Sequence, residues 1–248
     1  MLTIHFHPNW PHGARTVIES MAADGIYRSQ FTTGISNGGL TAFRGGDRWR
    51  WENRLFSGRY DEGPATDRPV YGVWNRRADI YGGAVRFGSS YLRLKPEAIE
   101  RATFCFPDSA RNPADFGDRH SLPRLCRLAD EAGSDDLNDY VEAQIHGPVL
   151  LASDVDAVVL DPSFSATPVE DAARGLGCPI EYHPGFRAAP SAFDPAYRGP
   201  EIVELAYSLG PELTPDLLGA EARSGVHPAQ SIKYVWHCLA RFGRQPAS

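Results

Sequence analysis

The sequence predicts an α+β fold with a mixed or antiparallel sheet core and flanking helices. Strand-like runs dominate as far as about residue 185, short and irregularly spaced, with no repeated strand–helix unit. From Gly199 onward helical periodicity takes over. A doubly wound parallel sheet needs the alternating unit that is missing here. The change of character divides the 248 residues into a mixed region over 1–185 and a helical region over 186–248 packed on it.

Taken in order, Leu2-Thr-Ile-His-Phe-His alternates apolar and polar residues and predicts a strand with His5 and His7 on one face. Ala14–Ala23 carries Val17, Ile18 and Met21 at helical spacing, with Gly25 as the stop. Tyr27–Phe31 reads as a short strand. Thr33–Asp47 holds five glycines among Ser, Thr and Asn; long loops of this kind in compact domains tend to be functional, because their backbone amides can reach a ligand. No Gly-Lys-Ser or Gly-Lys-Thr is present, so it is not a Walker loop. Arg48–Phe56 is predicted helical, with Trp49, Trp51 and Phe56 as core packing.

Val70–Trp74 and Ala84–Leu94 are predicted strands. The second alternates Val85, Phe87, Ser89, Tyr91 and Arg93 against Arg86, Gly88, Ser90, Leu92 and Leu94. Pro96–Arg101 is one helical turn, Ala102–Phe106 a strand, Pro107–Ser121 a loop and Leu122–Ala132 a helix stopped by Gly133. Two strands follow, one from Tyr140 and one from Ser153. Pro168–Leu176 is a short helix and Pro179–His183 a short strand. Three helices close the chain, Glu201–Leu209, Pro215–Ala222 and Pro228–Phe242; the last bears the apolar stripe Ile232, Val235, Trp236, Leu239 and Phe242.

Composition narrows the function classes. Apolar and charged fractions of 42% and 23% are those of an ordinary globular protein, and a net charge of −6 offers no global field for nucleic acid. Lys95 and Lys233 are the only lysines, so nearly all positive charge is arginine, which clamps phosphates and carboxylates bidentately. The four cysteines are widely spaced without a Cys-x-x-Cys pair, which argues against a cysteine zinc site and for reduced thiols. No signal-peptide pattern and no apolar run of about 18 residues is present. The expectation is a cytoplasmic protein, or one exported without a cleavable signal, with no membrane partner.

Chemistry is expected first at Glu142. It begins an apolar strand, and a carboxylate is costly to bury there without a partner or a task. Gln144 shares its face, while Val141, Ala143 and Ile145 point the other way.

His-Phe-His-Pro, Tyr27-Arg-Ser-Gln-Phe-x-Thr-Gly-x-Ser-Asn-Gly-Gly-Leu-Thr, Arg68-Pro-Val-Tyr-Gly, Arg86-Phe-Gly-Ser-Ser-Tyr and Tyr140-Val-Glu-Ala-Gln-Ile-His-Gly-Pro-Val together resemble a family of uncharacterised bacterial proteins, over roughly Leu2 to Gly199. The order of these parts is similar to that of the ADP-ribosyltransferase superfamily. That resemblance implies a split sheet core, NAD as substrate and transfer of ADP-ribose, as by a toxin or effector with a cognate immunity or antitoxin partner. It implies that Glu142 is the catalytic carboxylate and that Gln144 orients substrate. His5, His7 or Arg28 would take the first-strand role. Ser29, Gly34 and Ser36 would be NAD contacts from the Tyr27 segment and its loop. Tyr71 would stack on nicotinamide, Arg86 would meet phosphate, and Ser89 or Ser90 would brace Glu142 or the ribose. Gln144 stands where the arginine-specific subgroup carries Glu, so the acceptor stays open, with protein favoured over nucleic acid.

Two other classes fit parts of the sequence. His5-x-His7 on a first strand, with Asp118, His120, His146 and His183 later, has the ligand types of a zinc or manganese hydrolase. A non-catalytic binding or immunity module would bind no cofactor.

Overall fold

The computed structural model describes residues 1–34 and 41–247. Ser36, expected among the NAD contacts, lies outside the described residues. Eight strands form one sheet: β1 (Leu2–Phe6), β2 (Val70–Trp74), β3 (Ser90–Leu94), β4 (Ala102–Phe106), β5 (Asp115–Gly117), β6 (Val141–Ile145), β7 (Val155–Leu160) and β8 (Ile180–Tyr182). Their order across the sheet is β8-β7-β3-β1-β2-β6-β4-β5. Every neighbouring pair is antiparallel except β7 and β8. The fold is therefore α+β with a mixed sheet. The sheet is continuous, and β1 lies inside it, pairing with β2 on one side and β3 on the other.

Seven longer helices flank the sheet: α1 (Val17–Asp24), α2 (Asp47–Phe56), α3 (Leu122–Ala132), α4 (Pro168–Arg174), α5 (Pro200–Leu209), α6 (Pro215–Ser224) and α7 (Ala229–Phe242). Local chemistry sets their ends. The Thr16 hydroxyl accepts the Glu19 amide while Glu19 Oε2 accepts the Thr16 amide at 2.7 Å, a reciprocal cap that starts α1. Gly25, at φ 68°, ends it in the left-handed region.

Period-two alternation sorts the strands onto two faces. Leu2, Ile4, Phe6, Phe104, Val141, Ala143 and Ile145 fill one face, against Ile18 and Met21 of α1, Leu122 and Leu125 of α3, and Val169 and Ala173 of α4. The opposite face carries Thr3, His5, Tyr71, Glu142 and Gln144. Part of it is covered by a second apolar cluster, in which Tyr81 and Val85 pack with Ile202, Leu218 and Trp236 of the helical region. The Trp236 indole donates to the Val85 carbonyl at 3.0 Å, and the Tyr81 hydroxyl to the Gly185 carbonyl at 2.9 Å.

Three expectations are corrected. The strand over Ala84–Leu94 starts only at Ser90, because Val85–Phe87 form a 3-10 turn. Gly88 lies so close to β1 that an added Cβ would sit 2.3 Å from the Phe6 backbone, a packing demand that alternation does not reveal. Tyr27–Phe31 is a two-residue strand, Ile26–Tyr27, followed by a helical turn, Gln30–Thr33. The Pro107–Ser121 loop contains the edge strand β5, whose Asp and Gly read as loop residues.

Candidate functional site

Four of the expected site residues converge on the polar face of the central strands. In the ladder Tyr71 stands opposite Gln144, and Val73 opposite Glu142. On the other side of β6, Thr103 is opposite Gln144 and Cys105 opposite Glu142. The register thus makes a polar row across β2, β6 and β4, with His5 of β1 beside it. A cavity of about 70 Å³ opens over this row, lined by His5, Arg48, Tyr71, Phe87, Tyr140 and Glu142 among others.

Glu142 is held by one oxygen. Its Oε1 accepts the Gln144 side-chain amide at 2.8 Å and the Ser109 backbone N–H at 3.2 Å, with the Cys105 thiol at 3.6 Å. Oε2 takes no hydrogen bond among the described residues. Gln144 is fully buried; its Oε1 accepts the Thr103 hydroxyl at 2.9 Å and its amide also reaches Cys105 Sγ at 3.3 Å. Gln144 is therefore a positioning residue for Glu142. Burial pushes the Glu142 carboxyl above its ordinary range; the Ser109 amide and the Arg48 guanidinium oppose that, and Asp108 adds to it. Burial, with the Glu142 charge beside it, drives the Cys105 thiol far up, which removes it as a nucleophile.

Helix α2 supplies the opposite wall, and sequence reading missed its role. Arg48 and Glu52, one turn apart, both point inward and are buried. The Arg48 guanidinium lies 4.3 Å from the Tyr71 ring centroid and 4.8 Å from that of Trp51, and its Nε and Nη1 are buried without a hydrogen-bond partner among the described residues. Glu52 pairs with Arg68 at 2.6 Å and accepts the Tyr71 hydroxyl at 3.0 Å, so it is committed elsewhere. The Tyr71 hydroxyl in turn accepts the Trp51 indole N–H at 3.3 Å. The signal was available: Arg48 and Glu52 share the helix face with Trp51, and a polar pair on an aromatic face needs partners. The Tyr140 hydroxyl donates to Asp108 Oδ2 at 2.6 Å.

The other expected residues are distributed differently. Both His5 ring nitrogens are taken by backbone: Nδ1 by the Gly88 carbonyl at 3.2 Å and Nε2 by the Ala84 amide at 3.1 Å. Burial lowers its pKa to about 3, so it lines the cavity as a neutral, saturated ring. His7 stacks on Trp10 at 4.1 Å. His7, Arg28 and Gly34 line a second cavity of about 300 Å³, which shares Tyr27 and Gln30 with the first. Arg28 is half-exposed there and pairs with Asp24 at 2.8 Å. The indole Nε1 of Trp10, in the second cavity, and the side-chain oxygen of Gln30, where the two cavities meet, are buried without partners among the described residues.

Ser29, Arg86, Ser89 and Ser90 line neither cavity. The Ser29 hydroxyl reaches the Ala65 carbonyl at 3.4 Å. Arg86 bonds the Asn138 side chain. Ser90 turns to the apolar face and accepts the Asp161 amide at 3.3 Å, while the Ser89 carbonyl accepts from His183 at 2.7 Å. His5 and His183 are saturated by backbone, and among the described residues no three His, Cys, Asp or Glu side chains group closely enough to hold an ion. No helix among the described residues is long and apolar enough to cross a membrane.

Comparison with known families matches residues 1–125 and 121–224 to a family described as "Protein of unknown function (DUF3626)". The chain belongs to that family. No curated protein matches it.

Proposed function

We propose that this member of the DUF3626 family binds NAD over the polar face of its sheet, breaks the nicotinamide–ribosyl bond and transfers ADP-ribose to an acceptor. The observation that carries the reading is the pairing, in one cavity, of a carboxylate anchored by one oxygen with a buried guanidinium whose Nε and Nη1 are unpartnered. A fixed carboxylate is what stabilises a ribosyl cation, and a free guanidinium is what receives a phosphate oxygen.

In this scheme Glu142, ionised above its raised pKa, faces the C1′ carbon as positive charge develops there. The C1′–N bond breaks with its electron pair, and nicotinamide leaves neutral. The acceptor's lone pair then forms the new bond to C1′ and its proton is lost to solvent. Gln144, fixed by Thr103, keeps the Glu142 carboxylate in place. Arg48 would hold the first phosphate, and Tyr71, Phe87 and Tyr140 offer ring faces and edges to a planar base. The second cavity, joined at Tyr27 and Gln30, gives the remainder of a dinucleotide room. A fold that is like the ADP-ribosyltransferases beyond the α+β level belongs to this proposal, as does a role as toxin or effector with a cognate immunity partner. A protein acceptor suits a chain of net charge −6 better than nucleic acid does.

The test is release of nicotinamide from NAD by the purified chain, followed by transfer of labelled ADP-ribose in lysate. Glu142→Gln is expected to lower the rate by about 10²–10³, the loss typical of one preorganised electrostatic contact. Absence of any NAD binding by calorimetry would overturn the reading and leave a non-catalytic module.

A further inference from the structure

A second cluster of unmatched polar groups lies where the helical region meets the 85–87 turn. Most arginines are paired: among the described residues fourteen make ion pairs with Asp or Glu. Arg86, Arg198 and Lys233 make none among the described residues. They come from three elements that pack together: the 85–87 turn, the short helix Pro195–Arg198, and α7. Lys233 and His237 lie one turn apart on α7 and share a face. Tyr234 bridges that face to the short helix, its ring 5.6 Å from the Arg198 guanidinium and 5.8 Å from the His237 ring.

The unmatched atoms are buried. Among the described residues Arg86 Nε, Arg198 Nε and both ring nitrogens of His237, one of them an N–H donor in the neutral ring, have no hydrogen-bond partner, and His237 is only 1% exposed. Nearby carboxylates are engaged elsewhere. Asp135 faces Arg241 at 3.8 Å and accepts the Asn138 amide at 2.6 Å, and Asp194 caps Ala196. Burial, with Arg86 and Arg198 nearby, lowers Lys233 to about 8. Cations gathered with unsatisfied donors and no counter-charge are costly unless something supplies the charge.

We propose that Arg86, Arg198, Lys233 and His237 form a binding site for a phosphate-type dianion. Two guanidiniums and an ammonium offer charge and N–H donors from three directions, which suits a tetrahedral oxyanion better than a planar carboxylate. The ligand is either free phosphate or the phosphoryl group of a larger molecule. The site does not include Glu142 or Arg48 and does not rest on the NAD reading.

The test is thermal unfolding and calorimetry of the full chain in chloride buffer, titrated with inorganic phosphate at constant ionic strength. Phosphate is expected to raise the unfolding midpoint of the wild type. Lys233→Gln and Arg198→Gln should each weaken phosphate binding by about tenfold, the loss of one charge-assisted contact. In phosphate-free buffer the same substitutions should raise the midpoint, because they relieve repulsion among the cations. Structurally required side chains would give the opposite sign, so that pattern overturns the proposal. So does a phosphate response that is absent or survives both substitutions. Competition with ADP-ribose separates the sources: displacement of phosphate assigns a phosphoryl group of a larger ligand, and additive binding assigns the free ion. Glu142→Gln should leave the phosphate response intact, so failure of the NAD reading and failure of this one are distinguishable.

Discussion

The two faces of β6 are built on opposite terms. Val141, Ala143 and Ile145 are fully buried against three helices in an apolar layer. One residue out of register, Glu142 and Gln144 sit among Cys105, Thr103 and Tyr71 beneath a cavity. The first face gains free energy from buried apolar area, at about 25 cal/mol per Å². The second spends some of it: Glu142 and Tyr71 are both desolvated, and Arg48 keeps unpartnered nitrogens. A desolvation cost of this kind is tolerated where the rest of the fold offsets it. One strand thus joins the part that holds the protein together to the part available for chemistry.

Acid should break the polar side first, and this is the largest effect expected. Burial lowers His5 and His237 to about 3 and His146 to about 4, and also depresses His7 and His183. Each is neutral in the fold but takes up a proton in the unfolded chain below its ordinary value. Their contribution to stability is therefore complete above that value and is lost as pH falls towards the lowered ones. The slope approaches about 1 kcal/mol per pH unit for each group. Acid unfolding should begin below about pH 6.5, with uptake of several protons measurable by potentiometry. A stability that stays flat from neutrality down to about pH 5 would contradict the neutral burial of these rings.

The apolar face is broken by volume instead. Phe104 is 0% exposed at the centre of that layer, and Phe104→Ala should cost about 3–5 kcal/mol in denaturant unfolding. Phosphate binding and NAD turnover per folded molecule should persist, since the side chain faces away from both sites. Smaller still is Thr16→Ala, which removes the α1 cap and should cost about 1 kcal/mol without touching either cavity.

How much of this was legible follows from the same comparison. Alternation is a local property, so it found both faces of β6, the strands at Leu2, Val70 and Ala102, and the helices of the C-terminal region. It placed Glu142 and Gln144 together because they are two residues apart. It could not find the partners that arrive through register and packing. Cys105 and Thr103 meet β6 only through cross-strand pairing, and Arg48 enters from a helix nearly a hundred residues earlier in the chain. His5 lines the same cavity as Glu142, and its saturation by Ala84 and Gly88 depends on a turn that alternation misread as strand. The cationic cluster was invisible for the same reason, since its members come from three separate elements and only Arg86 had been given a site role, a different one.

The smallest effect on the fold is the sharpest test of the comparison. Glu142→Gln keeps the side-chain shape and an acceptor oxygen for the Gln144 and Ser109 donors, and removes the charge. Because burial raises the folded carboxyl above its ordinary value, the folded state holds that proton more tightly than the unfolded chain does. The penalty for ionising it is absent below the ordinary carboxylate range and grows as pH rises through the raised value. The variant should therefore match the wild type in acid and become slightly the more stable at neutral pH, while nicotinamide release falls. Paired denaturation curves across that range check the sign. A variant less stable than wild type at neutral pH would mean that the Glu142 charge supports the fold, and the division between a stabilising face and a chemical face would fail at the residue that defines it.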